Sequence, residues 1–199
     1  LHALPLVLVA ALLAAALPAA AQSADDAGPL ILVAVPGEEG ERLAGRLGAA
    51  FHLLDTAGSA RHYGGPVVSV DAALRAGRYF NADVIVWVAP DAPADLRATA
   101  RGWTVVPTES ITGLLPLEGE NVRPLVAAIY TLAGQALAVR GQCDPAMSSL
   151  SRAIDLAPRH WPGLVEARYY RGMCHALAGR PSAALEDLLV ALDGPAAPW

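Results

Sequence analysis

The sequence predicts a two-domain chain of mixed class, α+β or α/β. A small mixed β-sheet layered with helices is followed by an array of α-helical hairpins. Three observations predict it. Short apolar runs alternate with amphipathic stretches between residues 30 and 117, a helical period takes over from residue 118, and a pattern of small and apolar residues recurs there at an offset of 38 positions. A chain of 199 residues forms one or two domains and buries a core large enough to fold without staples.

The charge pattern narrows the function classes. With 54% apolar and 17% charged residues the chain lies far from the composition of disordered segments. Its 14 basic residues are all arginine and are outnumbered by 19 acidic ones, for a net charge of −5, which excludes a basic nucleic-acid footprint. The abundance of alanine, glycine and proline without any lysine reads as the bias of a GC-rich genome.

Residues 1–21 read as a bacterial signal peptide and residues 22–29 as a linker. The apolar run Leu4 to Leu17 is closed by Pro18 and by Ala19-Ala20-Ala21, an A-x-A site that places cleavage after Ala21. The n-region, Leu1-His2-Ala3, carries no basic residue. The run is shorter than the about 20 residues of a membrane span. No cysteine follows it, which argues against a lipid anchor. The mature chain is expected in the periplasm or secreted, with no stable membrane span after cleavage.

Residues 30–117 are expected to form the α/β domain. Leu30 to Val35 is six apolar residues ended by Pro36-Gly37, a buried strand with its exit turn. Glu38 to Phe51 follows as a helix, with Leu43, Leu47, Ala50 and Phe51 on one face and Glu38, Glu39 and Glu41 near its positive N-terminus. A second strand is expected at Val67 to Val70, after which Asp71 caps a helix running to Phe80. Asp83 to Val88 is the third strand and Gly102 to Val106 the fourth. Ala89 to Pro93 forms a turn, and Leu96 to Arg101 a short helix or hairpin arm. The order β-α-β-α-β-β fits parallel strands joined by crossover helices.

No catalytic, cofactor or metal site is legible. The turn Val35 to Gly40 lacks both phosphate-binding glycine spacings, and its glutamates would repel a phosphate. No G-x-S-x-G or H-E-x-x-H occurs, and the histidines at 2, 52, 62, 160 and 175 are scattered. The expectation is a protein that is not an enzyme and uses no cofactor.

Residues 118–199 read as four helices in two pairs. Ala127 to Val139 stops at Arg140-Gly141, Pro145 to Leu156 at Ala157-Pro158, Leu164 to Ala178 at Gly179-Arg180-Pro181, and Ser182 to Leu192 at Asp193-Gly194-Pro195. Gly134, Ala146, Leu150 and Ala153 recur as Gly172, Ala184, Leu188 and Ala191. A small residue in the first helix, a glycine turn, A-x-x-x-[LF]-x-x-A in the second helix and a closing proline resemble the tetratricopeptide repeat (TPR), whose period is about 34 residues. Ala127 to His160 spans 34 positions, and the copies fall at about 127–160 and 165–198. The family's early aromatic is Tyr130 in one copy and Arg168 in the other. In the first part, Ala73 to Val88 (ALRAGRYFNADVIVWV) resembles the TolB amino-terminal and FlgO-like α/β domains of exported bacterial proteins, although Val88 stands where that group tends to have glycine.

The TPR resemblance implies a concave groove lined by the first helix of each pair. Its side chains would include Thr131, Gln135, Ala138 and Val139 from one copy, and Glu166, Tyr169, Met173, Ala176 and Leu177 from the other. This small, apolar, nearly uncharged set suits a protein or peptide held by van der Waals contact, and Thr131 and Gln135 do not suit capture of a terminal carboxylate. Antiparallel stacking brings the start of the helix near Cys143 to the same end as Cys174, which makes the two a candidate disulfide in an oxidising compartment. The alternative is two separate buried thiols acting as small apolar groups.

The expected function is therefore an exported protein-interaction scaffold or adaptor that binds another envelope protein or a second copy of itself. The alternative is an α/β sensor that binds a small ligand at the carboxyl ends of its strands, near Pro36, Asp71 and Ala89, and relays this to the repeats. Expressed in a bacterial host with this N-terminus, the soluble protein is expected to begin at Gln22. Intact-mass measurement checks this, and retention of residues before Ala19 would contradict it.

Overall fold

The computed structural model describes residues 28–89, 103–108, 113–115, 122–159 and 161–194. The expected signal peptide, most of the linker, and the turn and short element expected within 90–101 lie outside the described residues. The elements run β1 (Leu30–Ala34), α1 (Gly37–Leu53), β2 (Ser59–His62), α2 (Val70–Phe80), β3 (Val84–Val88), β4 (Trp103–Pro107) and β5 (Gly113–Leu115). Four helices follow: α3 (Val122–Val139), α4 (Cys143–Leu156), α5 (Leu164–Leu177) and α6 (Pro181–Asp193).

The class is mixed, α and β, as expected. The five strands form one sheet in the order β2-β1-β3-β4-β5. β1 pairs in parallel with β2 and with β3, whereas β3, β4 and β5 form an antiparallel meander. Side chains alternate across the sheet with period two. Ile31, Val33, Val35, Val84, Val86 and Val105 turn to the face covered by α1 and α3, while Leu32, Ala34, Ile85, Trp87 and Val106 turn to the face covered by α2. Asp83 sets the register between β1 and β3, its carboxylate accepting from the Leu30 N–H at 2.8 Å while its own N–H donates to the Leu30 carbonyl at 2.9 Å.

The second strand is not where hydrophobicity places it. β2 is the polar segment Ser-Ala-Arg-His at 59–62, a sheet edge whose residues alternate between exposed and half-buried. An edge strand carries polar side chains without cost, so β2 shows no apolar run. Val67 and Val68 lie in the following loop, Val68 exposed, and Val70 opens α2. The cap of α2 is Ser69, whose Oγ accepts from the Ala72 N–H at 3.2 Å; Asp71 lies inside the first turn. β5, three residues long and starting at a glycine, carries too short an apolar run to signal a strand in the sequence.

A boundary at residue 117 does not divide the core. One apolar cluster runs continuously from the β1 and β3 side chains through Leu43, Leu47 and Phe51 of α1 to Leu125, Ile129 and Ala133 of α3, and on to Leu150 of α4 and Ala167 of α5. α3 thus covers the sheet beside α1 and at the same time starts the helical stack.

The two hairpins, α3–α4 and α5–α6, repeat one another at the 38-residue offset. α3 ends at Val139 and α5 at Leu177, and α4 begins at Cys143 and α6 at Pro181. Gly141 and Gly179 both take positive φ, 76° and 69°, where glycine avoids the Cβ penalty. Behind them the Gln142 N–H donates to the Leu137 carbonyl and the Arg180 N–H to the His175 carbonyl, each at 2.9 Å. Within each hairpin a glycine allows close helix approach. A Cβ on Gly134 would lie 2.5 Å from Leu150 Cγ and 3.3 Å from the Ala146 oxygen; on Gly172 it would lie 2.9 Å from Leu188 Cγ and 3.2 Å from the Ala184 oxygen.

Opposite signs are expected for two kinds of glycine substitution. Gly134→Val should lower stability by about 1–3 kcal/mol through overpacking against Leu150. Gly45→Ala and Gly48→Ala, in α1 where a Cβ meets nothing within 4 Å, should each raise it by about 0.5–1 kcal/mol. Urea denaturation midpoints at constant slope check both.

Candidate functional site

The position of the helical stack against the sheet is held by the turn that follows α1. Tyr130 of α3, buried edge-on against Phe51 with ring centroids 6.0 Å apart, donates its hydroxyl proton to the Ala57 carbonyl. Arg152 of α4 donates to the carbonyls of Leu54, at 3.3 Å, and Asp55. Burial raises the Tyr130 pKa, against opposing contributions from Thr56 and Arg152, so the phenol stays protonated as this contact requires.

A second polar centre joins three helices. The Asp187 carboxylate of α6, 2% exposed, accepts from Arg171 Nε at 2.6 Å and Nη2 at 2.8 Å, and from Arg168 Nη1 at 2.9 Å. Arg171 Nη1 also donates to Ser151 Oγ of α4 at 3.0 Å, so a single guanidinium ties α5 to both of its neighbours. The bond to Asp187 raises the Arg171 pKa further. At the 38-residue offset Arg168 corresponds to Tyr130. One position anchors the first hairpin to the α/β layer and the second hairpin to its own second helix.

The expected groove residues separate into two sets. Thr131 and Gln135 are 2% and 4% exposed, and Ala138 is buried too. The Thr131 hydroxyl donates to the Ala127 carbonyl at 3.0 Å, within its own helix. Their counterparts Tyr169 and Met173 are exposed and half-buried. At the third equivalent position both copies are open, Val139 at 66% and Leu177 at 73%. Tyr169 packs edge-on to Tyr170 with ring centroids 5.3 Å apart. Glu166 is half-buried, with Oε2 out of contact with water and with no hydrogen-bond partner, and burial raises its pKa. Among the expected residues, the accessible apolar ones are therefore Val139, Tyr169, Met173, Ala176 and Leu177.

Two of the clefts among the described residues border α4. One, of about 480 Å³, is lined by Gly28, Pro29, Asp83, Tyr130, Ser148 and Arg152 among others. Gly28 and Pro29 precede β1 and Asp83 precedes β3, so it opens at the amino ends of the strands. The other, of about 440 Å³, is lined mainly by apolar residues, including Ile154, Trp161, Leu164, Val165 and Val190. At the carboxyl ends, Pro36 and Asp71 are exposed and Ala89 is half-buried, and the His62 ring occupies the turn after β1, with Nε2 donating to the Val35 carbonyl at 2.8 Å. Among the described residues no group of three or more His, Cys, Asp or Glu is placed to hold a metal ion, and no helix is long and apolar enough to cross a membrane.

Cys143, half-buried at the start of α4, and Cys174, buried in α5, hold free thiols brought together at the same end of the stack. No family model, curated protein or solved structure matches the chain.

The Asp187 centre escapes sequence reading because its three charges come from two helices and match no motif. Asp187→Ala is expected to cost about 3 kcal/mol, the lower end for breaking a buried pair, since both guanidinium groups keep some access to water. Arg168→Ala, which leaves the bidentate Arg171 contact intact, should cost clearly less. Thermal unfolding of the two variants gives the order.

Proposed function

We propose that the protein is an exported, non-enzymatic interaction module, a TPR-type scaffold or adaptor of the bacterial envelope, whose docking surface lies on the second hairpin. The observation that carries this reading is the repeated hairpin geometry combined with the unequal burial of equivalent positions. Thr131 and Gln135 are consumed in the fold, while Tyr169, Met173 and Leu177 stay accessible in a row at four-residue spacing on α5. Repeats of this kind bind through a surface continued from one hairpin to the next, and Val139 extends the row onto α3. Tyrosine supplies large contact area at low entropic cost, methionine adapts its shape to a partner, and the absence of Arg or Asp from the row favours an apolar peptide segment. The TPR resemblance and the export signal read in residues 1–21 support the same assignment.

Expected outcome: the immobilised mature protein retains a stoichiometric partner from an envelope extract, and the Tyr169→Ala/Leu177→Ser double variant retains about tenfold less, the loss of a modest hot spot, at an unchanged thermal midpoint. Equal retention by both forms would remove α5 as the docking surface.

A further inference from the structure

We propose that Cys143 and Cys174 are a built thiol pair that closes into a disulfide across the two hairpins, with Cys143 as the entry thiol and Cys174 as the resolving thiol. Cys143 is the first residue of α4 and Cys174 lies one turn before the end of α5, so the two belong to different hairpins yet meet at one end of the stack. Both belong to one apolar cluster, Cys174 inside it and Cys143 packed against it, and Cys143 lies near enough to bear on the ionisation of Cys174. The glycine turns at Gly141 and Gly179 lie at the same end of the stack, two residues before Cys143 and five after Cys174. Bridging closes a loop that contains α4, the connection at residues 157–163 and most of α5.

Accessibility sets the order of events. Cys174 has no exposed surface, whereas Cys143 is half-buried, so an external disulfide meets Cys143 first. Burial, the neighbouring Cys143 and the nearby Asp144 carboxylate all raise the Cys174 pKa, which keeps that thiol protonated and unreactive toward outside disulfides. A disulfide donor, glutathione disulfide or an envelope dithiol oxidase, supplies the oxidising equivalents. The Cys143 thiolate attacks one donor sulfur, forms a mixed disulfide and expels the first donor thiolate. Cys174 then gives up its proton, attacks Cys143 Sγ and expels the second, so that two protein thiols and one donor disulfide become one protein disulfide and two donor thiols.

The bond staples the first hairpin to the second, and so fixes α5, the helix proposed above to carry the docking surface, against α4. The chemistry of the pair does not depend on that surface or on a partner, so the test separates the two. The purified mature protein is equilibrated with reduced and oxidised glutathione, trapped with acid and alkylated under denaturing conditions. Expected results are no more than about 0.2 free thiols per chain on the oxidising side, since a tenfold preference for the bridged form leaves about one chain in eleven with both thiols free, and a tryptic peptide 141–152 joined to the peptide that begins at Gly172. The oxidised form should melt about 5–15 °C above the reduced form. Cys174→Ser is expected to accumulate a mixed disulfide with glutathione at position 143, and native Cys143→Ser to accumulate none at position 174. Two persistent free thiols per chain, intermolecular dimers as the sole oxidised product, or equal trapping at the two positions would each overturn the proposal.

Discussion

One helix has to satisfy two layers at once, and the rest of the architecture depends on that constraint. α3 lies beside α1 on the sheet and is also the first helix of the hairpin stack, so nearly every residue from Leu125 to Ala138 is buried. A helix buried on all sides has no polar face to spare, and the segment from 124 to 139 contains no charged residue. Its two polar side chains with a fixed burial, Thr131 and Gln135, lie inside the fold. Had α3 kept the exposed face that a free repeat array requires, the sheet would have lost half of its cover.

Burial alone would let the stack slide along the sheet. The directional contacts stop this: Tyr130 and Arg152 converge on the carbonyls of Leu54, Asp55 and Ala57 in the turn after α1, and Asp55 adopts a φ of 49° there. A left-handed aspartate is uncommon and is retained where the surroundings over-determine it. The first hairpin is thus oriented by hydrogen bonds to backbone, and the second by the Asp187 carboxylate and the bond from Arg171 to Ser151. Both hairpins use the same glycine contact to set the helix spacing, while the position shared by Tyr130 and Arg168 differs because their neighbours differ: a carbonyl in one case, a carboxylate in the other.

The consequence is an asymmetry between two hairpins of matching geometry. Thr131, Gln135 and Ala138 of the first are spent on packing, while their counterparts Tyr169 and Ala176 in the second are exposed and Met173 is half-buried. The accessible apolar residues of α5 lie next to half-buried Glu166, and the helix is tied to α4 through Arg171 and Ser151.

Much of the local structure was legible in the residues. β1, β3 and the four C-terminal helices follow from runs and periods within one segment, and the 38-residue offset follows from the spacing of Gly134 and Gly172 with their partners. The meeting of Cys143 and Cys174 at one end of the stack also follows, because antiparallel helices joined by short turns leave few alternatives. What the sequence could not decide is which surface covers which. β2 is polar because it is an edge, Val67 and Val68 are apolar in a loop, and Thr131 is buried while Tyr169, at the equivalent position, is open. A hydrophobic period records that one side of an element faces away from water, but not the identity of the neighbour that covers it. The shared core across residue 117, the clamp on the turn after α1 and the three-helix Asp187 centre all arise from contacts between segments distant in sequence, and so only the tertiary structure decides them.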